Sequence, residues 1–266
     1  MIFERMEINV GKVVKNFKKY RFLLIELVKK DIKLKYRRSY LGILWTLIEP
    51  ILTTAVLTMV FSTIYQKKDH IFPVYILTGR LLYSYFANST KAAMKAIRGN
   101  SAMIKKVYVP KYIYPFSTIL ANYLTFLISL VVLFGAAMIF RVKPTIHLIT
   151  AIIPLIQLLV LCLGTGLILA TLAVFFRDLE YLWGVILMLI MYTSAIFYRI
   201  EIVNKENLWL YKLNPLYQII VNFRNSIFGV PMDKEAMIYS TLYSIGALLI
   251  GTVMFYRKQD KFILNI

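Results

Sequence analysis

Two ionisable residues stand inside apolar runs: Glu49 within Leu41 to Tyr65, and Arg80 within Ile71 to Ala92. A charge in hydrocarbon is costly and is retained where it pairs, lines water or serves a substrate. Glu49 lies eight residues past Leu41 and Arg80 nine past Ile71. If the two runs cross in opposite directions, their levels differ by about 4–5 Å in a core of about 30 Å. The spacing predicts a Glu49–Arg80 ion pair between the runs, facing protein or a conduit. The residues leave open whether it serves transport or structure.

Other chemistry is sparse. Arg177, Asp178 and Glu180 form the one acid–base cluster, and a salt-bridged turn between helices accounts for it. There is no GxxxxGK[ST] phosphate loop, HExxH, GxSxG or CxxC, so nucleotide hydrolysis by a phosphate loop is excluded and no catalytic set is identified. The single cysteine, Cys162, rules out an internal disulfide, and His70 and His147 stand at separate loop edges without forming a metal set. Trp45, Tyr83, Tyr85, Phe86 and Tyr192 lie within apolar runs rather than at their ends, and Tyr198 closes one. Their ring faces suit either core packing or stacking on sugars along a conduit. Asn222 and Arg224 are tolerated at membrane depth only if protein or water surrounds them.

The elements that position these groups follow from composition. The chain is 59% apolar, above the roughly 45–50% of soluble domains, and carries a net charge of +19. Nucleic acid is one partner for such a charge, but the cations here fall between apolar runs, as positive-inside topology and anionic lipid require. Lys29 to Arg38 contains six Lys/Arg against Asp31 and abuts the first run; Lys91 to Lys111 contains six and no acid. The sequence predicts an all-α polytopic membrane protein with six spans at about 41–65, 71–92, 112–140, 147–176, 181–198 and 236–256. Both termini are then cytoplasmic: a 1–38 segment, a 39–256 transmembrane domain and a 257–266 tail. On that topology 22 Lys/Arg fall inside and 9 outside. Pro154 is expected to kink or start span four. Gly166 with Ala170, and Ala247 with Gly251, are small pairs spaced for close helix approach in a dimer.

Three connecting pieces carry more. Val13, Phe17, Tyr20, Leu24 and Leu27 repeat on one helical face, predicting an amphipathic helix in the cytoplasmic interface or packed on a partner. Between Gly99 and Pro110, a two-turn helix capped by Ser101 is expected to present Met103, Ile104, Val107 and Tyr108 beside Lys105 and Lys106. A docking knob and a headgroup anchor both fit. Asn214, Pro215 and Gly229 bracket a helix of about 13 residues, too short to span and therefore re-entrant or interfacial.

DIKLKYRRSYLGILWTLIEP at 31–50 resembles the lead-in to the first helix of type-2 ABC export permeases that move cell-surface polysaccharides. The resemblance continues through IKKVYVPKYIYP (104–115), FFRDLEYLWG (175–184), AIFYRIE (195–201) and LNPLYQIIVNFRNSIFG (213–229). O-antigen and wall teichoic acid exporters are members of the family that it resembles. The resemblance implies a homodimer of this chain with two separate ATP-binding subunits that hold ATP and Mg; this chain would hold no cofactor and catalyse nothing. The substrate would be an undecaprenyl-linked polysaccharide, O-antigen or teichoic acid, moved across a bacterial cytoplasmic membrane. Residues 101–110 would be the ATPase-coupling helix, the N-terminal helix the interface helix, and 214–229 part of the re-entrant helices between spans five and six. The alternatives are a permease for a small drug or lipid, or a membrane glycosyltransferase or polymerase. One departure is Arg199, which follows Tyr198 where the family commonly has proline.

Overall fold

The structure, a computed structural model, describes residues 10–37, 39–65, 70–107 and 109–265. All regular elements among them are helical. In order they are α1 (Val10–Tyr36), α2 (Trp45–Tyr65), α3 (Phe72–Gly99), α4 (Ser101–Lys106), α5 (Ile113–Ile139), α6 (Ile152–Phe175), α7 (Leu179–Tyr192), α8 (Leu208–Leu213), α9 (Pro215–Phe228), α10 (Lys234–Lys258) and α11 (Phe262–Asn265). Among the described residues, four helical segments are long and apolar enough to cross a membrane: Gly42–Thr63, Ile113–Ile139, Ile146–Phe175 and Lys234–Asn265.

The second and fifth expected spans take other forms. α3 runs past 92 to Gly99 and is about 42 Å long at ~1.5 Å per residue. Its polar residues are tolerable because it is the central helix, with 18 of its 28 residues buried. α7 has 14 residues, about 21 Å. It stops at Tyr192 rather than 198 because the Thr193 and Ser194 hydroxyls donate to the carbonyls of Leu189 and Ile190, and Ala195 turns left-handed at φ 47°. Pro154 falls in the first turn of α6, where a missing N–H leaves no gap, so it starts the helix rather than kinking it.

The small residues serve the subunit itself. A Cβ on Gly164 would lie 2.3 Å from the Leu248 nitrogen and 2.4 Å from the Ala247 carbonyl carbon. One on Gly251 would lie 2.4 Å from the Gly164 oxygen. α6 and α10 therefore cross backbone to backbone, fixed further by Gln157 Nε2 donating to Thr241 Oγ1 at 2.8 Å. Gly166 admits Ile119 and Ala93, and Ala170 is fully buried. The expectation that these pairs form a dimer seam is corrected: all four pack inside one chain.

At one end of the bundle a second apolar core gathers Leu27 of α1, Ile97 of α3, Ile104 of α4, Tyr114 of α5, Val174 of α6, and Phe262 of α11. The ends meeting there carry the basic stretches at Lys29–Arg37 and Lys91–Lys111 and the cations of the C-terminal tail. α1 lies along α5 with Leu27 and Val28 buried and Tyr20 and Leu24 partly so, the face that the sequence period marks out. The side chains of Val13 and Phe17 lie outside what is described.

Candidate functional site

Glu49, Arg80 and Tyr85 line one cleft between α1, α2, α3 and α5, together with Lys35, Asn88 and Asn122. Among the described residues no ion pair joins Glu49 to Arg80, so the expected pair is corrected to a shared cleft. α1 brings a third charge, Lys35, to the same cleft, so that the acid faces two cations rather than one. Partial desolvation at the cleft holds the Lys35 ammonium below its ordinary value of 10.5, and Glu49 opposes that shift. The Tyr85 ring packs against Phe126 at 5.0 Å and Tyr123 at 5.4 Å, as a core residue does. The cavity volume is about 70 Å³, whereas small-molecule pockets run to about 300–1,000 Å³. Within one subunit the cleft holds water or a compact group, not a sugar chain.

Residues that the two-charge argument missed share a readable signal. Arg80, Ser84 and Asn88 fall four apart on α3, and Asn122, Thr125 and Ser129 fall three and four apart on α5. Each set marks one polar stripe on an otherwise apolar helix.

The other aromatic candidates lie apart from this cleft. Trp45 begins α2 half-exposed. Tyr83 is buried and donates to the Leu187 carbonyl at 3.1 Å, tying α3 to α7. Tyr192 is exposed on α7; Tyr198 donates to its carbonyl and shares a 2.7 Å hydroxyl contact with Tyr211. The Arg199 guanidinium lies 6.0 Å from the Tyr75 ring centre.

Asn222 and Arg224 are enclosed by protein. Asn214 caps α9 as predicted, its Oδ1 accepting from the Leu216 N–H at 3.0 Å, while its Nδ2 reaches the end of α7 at Ile190, Thr193 and Ser194. Gly229 ends α9 at φ 73°, and the Val230 N–H returns to the Asn225 carbonyl at 2.8 Å. Asn222 accepts from the Asp233 N–H at 2.8 Å and donates to the Asp233 carbonyl at 3.2 Å, pinning α9 to the start of α10. Arg224 donates to Thr78 Oγ1 and to the carbonyls of Ala195, Tyr75 and Ile196, with its guanidinium 3.6 Å from the Tyr75 ring centre. Carbonyl dipoles and a π face, rather than a carboxylate, hold this cation.

At the basic end, α4 presents a mixed face. Met103 is 38% and Val107 53% exposed, beside Lys105 and Lys106. Ile104, expected on the same surface, is 7% exposed and turned into the core against Leu27 and Phe262, because a two-turn helix must anchor one side. Tyr108 lies outside the described residues, and Pro110 is half-buried before α5. Ser101 does not cap: Asn100 takes that place, with its side chain donating back to the Ala96 carbonyl at 2.8 Å and accepting from Lys30 at 3.1 Å. Nearby, Glu180 pairs with Lys95, and Arg98 reaches the Phe176 carbonyl. Among the described residues the Arg177–Glu180 cluster has no ion pair of its own: its one bridge runs from Glu180 to Lys95 of α3, which corrects the expected turn.

A bundle of long apolar helices, with one basic end, a charged cleft and a short exposed helix, is that of a multi-pass membrane protein. The chain belongs to the ABC-2 type transporter family, whose profile it matches over residues 23–228. It is 27% identical over 244 residues to the O-antigen export system permease protein RfbA of Klebsiella pneumoniae, covering 90% of this chain and 93% of that protein. Against the protein of the same name from Myxococcus xanthus it is 26% identical, covering 94% and 98%. It is 22% identical to the polysialic acid transport protein KpsM of Escherichia coli, covering 87% and 91%.

Proposed function

We propose that this chain is the membrane subunit of an ATP-driven exporter of lipid-linked cell-surface polysaccharide. The observation that carries the reading is similarity over nearly the whole of both chains to permeases named for O-antigen and polysialic acid transport. In this reading α2, α3, α5, α6, α7 and α10 are six spans, with α8 and α9 forming short re-entrant elements before the last. The basic end faces the cytoplasm with both termini. α4 and α1 dock a separate ATP-binding subunit, which holds ATP and Mg and does the hydrolysis. A homodimer supports it: the 70 Å³ cleft is too small for a polymer, so the conduit forms between two copies, bounded by faces such as that of α2, only 11% of whose spanning window is buried.

Depleting the chain from cells tests this. The expected result is loss of surface polysaccharide with lipid-linked polymer retained at the inner leaflet. Unchanged polymer with altered drug sensitivity would assign a small-molecule permease instead.

A further inference from the structure

We infer that Arg80, backed by Ser84, Asn88 and Asn122, seats the phosphate group of an anionic lipid inside the cleft. Three charged side chains line that cleft, Lys35, Glu49 and Arg80, leaving a net charge of one positive unit. Among the described residues Glu49 forms an ion pair with neither cation; Lys35 is exposed, and the more enclosed of the two is Arg80. Among the described residues its half-buried guanidinium makes neither a hydrogen bond nor an ion pair, although it lies eight residues into α3. Arg224 on α9 is the contrast: it too lacks a carboxylate, yet its donors are bound by three carbonyls and a hydroxyl. A guanidinium with five donors, one hydroxyl and two amides suit a tetrahedral oxyanion.

Size and access narrow the ligand. About 70 Å³ accommodates several waters or one compact anion, but not a sugar ring with its shell. A divalent cation would need several oxygen ligands of the right charge, and Glu49 is the one carboxylate lining the cleft. α2 forms one wall and exposes Ile51, Leu52 and Val56, an apolar track along which a lipid chain can lie while its head group enters. Lys29, Lys33 and Arg37 stand exposed at the cleft's α1 end and raise the local concentration of anionic head groups. A carrier lipid and an ordinary phospholipid share this chemistry. Identifying the lipid with the exported substrate rests on the function proposed above; the seat itself rests on the cleft.

The test is lipid binding to the intact purified chain in phosphatidylcholine nanodiscs, with undecaprenyl phosphate and phosphatidylglycerol as separate probes. Arg80→Gln should weaken binding by about tenfold or more, the loss expected when a charge-assisted contact is removed, and Arg80→Lys should retain most of it. Glu49→Gln should tighten binding, a direction that misfolding cannot mimic, and Lys143→Gln, away from the cleft, should change nothing. Preference for undecaprenyl phosphate identifies a carrier lipid, and equal binding identifies bilayer phospholipid; both support the seat. Binding that ignores Arg80→Gln and Glu49→Gln, or no saturable binding, overturns it. In that case, loss of polymer on depletion would leave the export reading standing, because the two readouts are independent.

Discussion

The Arg224 guanidinium fills the space that a side chain on residue 79 would need: a Cβ built on Gly79 lies 2.7 Å from Arg224 Nη2. Glycine is required there by volume, not by backbone angle. Gly79→Ala should push the guanidinium off the Tyr75 and Ile196 carbonyls and cost about 1–3 kcal/mol, the range for leaving buried polar groups unpaired. In an Arg224→Met background the same alanine should cost markedly less, since its obstacle is gone. Thermal unfolding of the four proteins as a double-mutant cycle measures the coupling; additive losses would show that the two residues do not share the site.

Neighbours on α4 should separate stability from coupling. Ile104→Ala empties a core position and should destabilise by about 2–5 kcal/mol. Met103→Glu with Val107→Glu places charges on exposed positions and should leave unfolding temperature within a few degrees of wild type. If α4 docks an ATPase, the double glutamate should abolish substrate export while the co-purified complex still hydrolyses ATP. Intact export would remove α4 from the docking surface.

What the sequence made legible was local. Asn214, Pro215 and Gly229 bound α9 because capping chemistry lies within a few residues of each helix end. The polar stripe of α3 and the apolar face of α1 are likewise periodic and can be read along the chain. Long-range choices could not be read. Ile104 turns inward because Leu27 and Phe262, nearly eighty residues before and more than 150 after, meet it there. Asn100 displaces Ser101 as the cap position while its side chain is drawn to Ala96 and Lys30. Glu49 and Arg80 share a cleft without pairing, and its lining also takes in Lys35 from a helix outside both spans. The small residues announced close approach, but not which helix would approach.

That last point gives a graded glycine series. At Gly251 an added Cβ meets backbone oxygen at 2.4 Å, and neither α6 nor α10 can yield locally. Gly251→Val should therefore abolish recovery of folded protein from membranes. Gly246, five residues earlier on the same helix, has nothing within 4 Å of its Cβ position. Gly246→Ala should be neutral or stabilise by about 0.5–1 kcal/mol, because alanine restricts the unfolded chain. Size-exclusion profiles and unfolding temperatures distinguish the outcomes; equal tolerance at both positions would mean that the α6–α10 crossing is looser than its glycines indicate.

Asp31 gives the pH dependence. Its carboxylate is largely enclosed where α1 meets α5, and burial raises its pKa above the ordinary 3.8, with Lys30 at 4.0 Å and Ser117 only partly offsetting that. A raised acid pKa means that the folded chain binds this proton more tightly than the unfolded chain. The resulting stability is present below 3.8 and is lost as pH rises through the folded value. At neutral pH the ionised Asp31 is thus a net liability. Asp31→Asn should raise the unfolding temperature at pH 7 while leaving it nearly unchanged at the lowest pH where the protein stays folded. The comparison is within one series, so titration of other carboxylates cancels to first order. A variant less stable than wild type at pH 7 would mean that the attraction of Lys30 outweighs the burial.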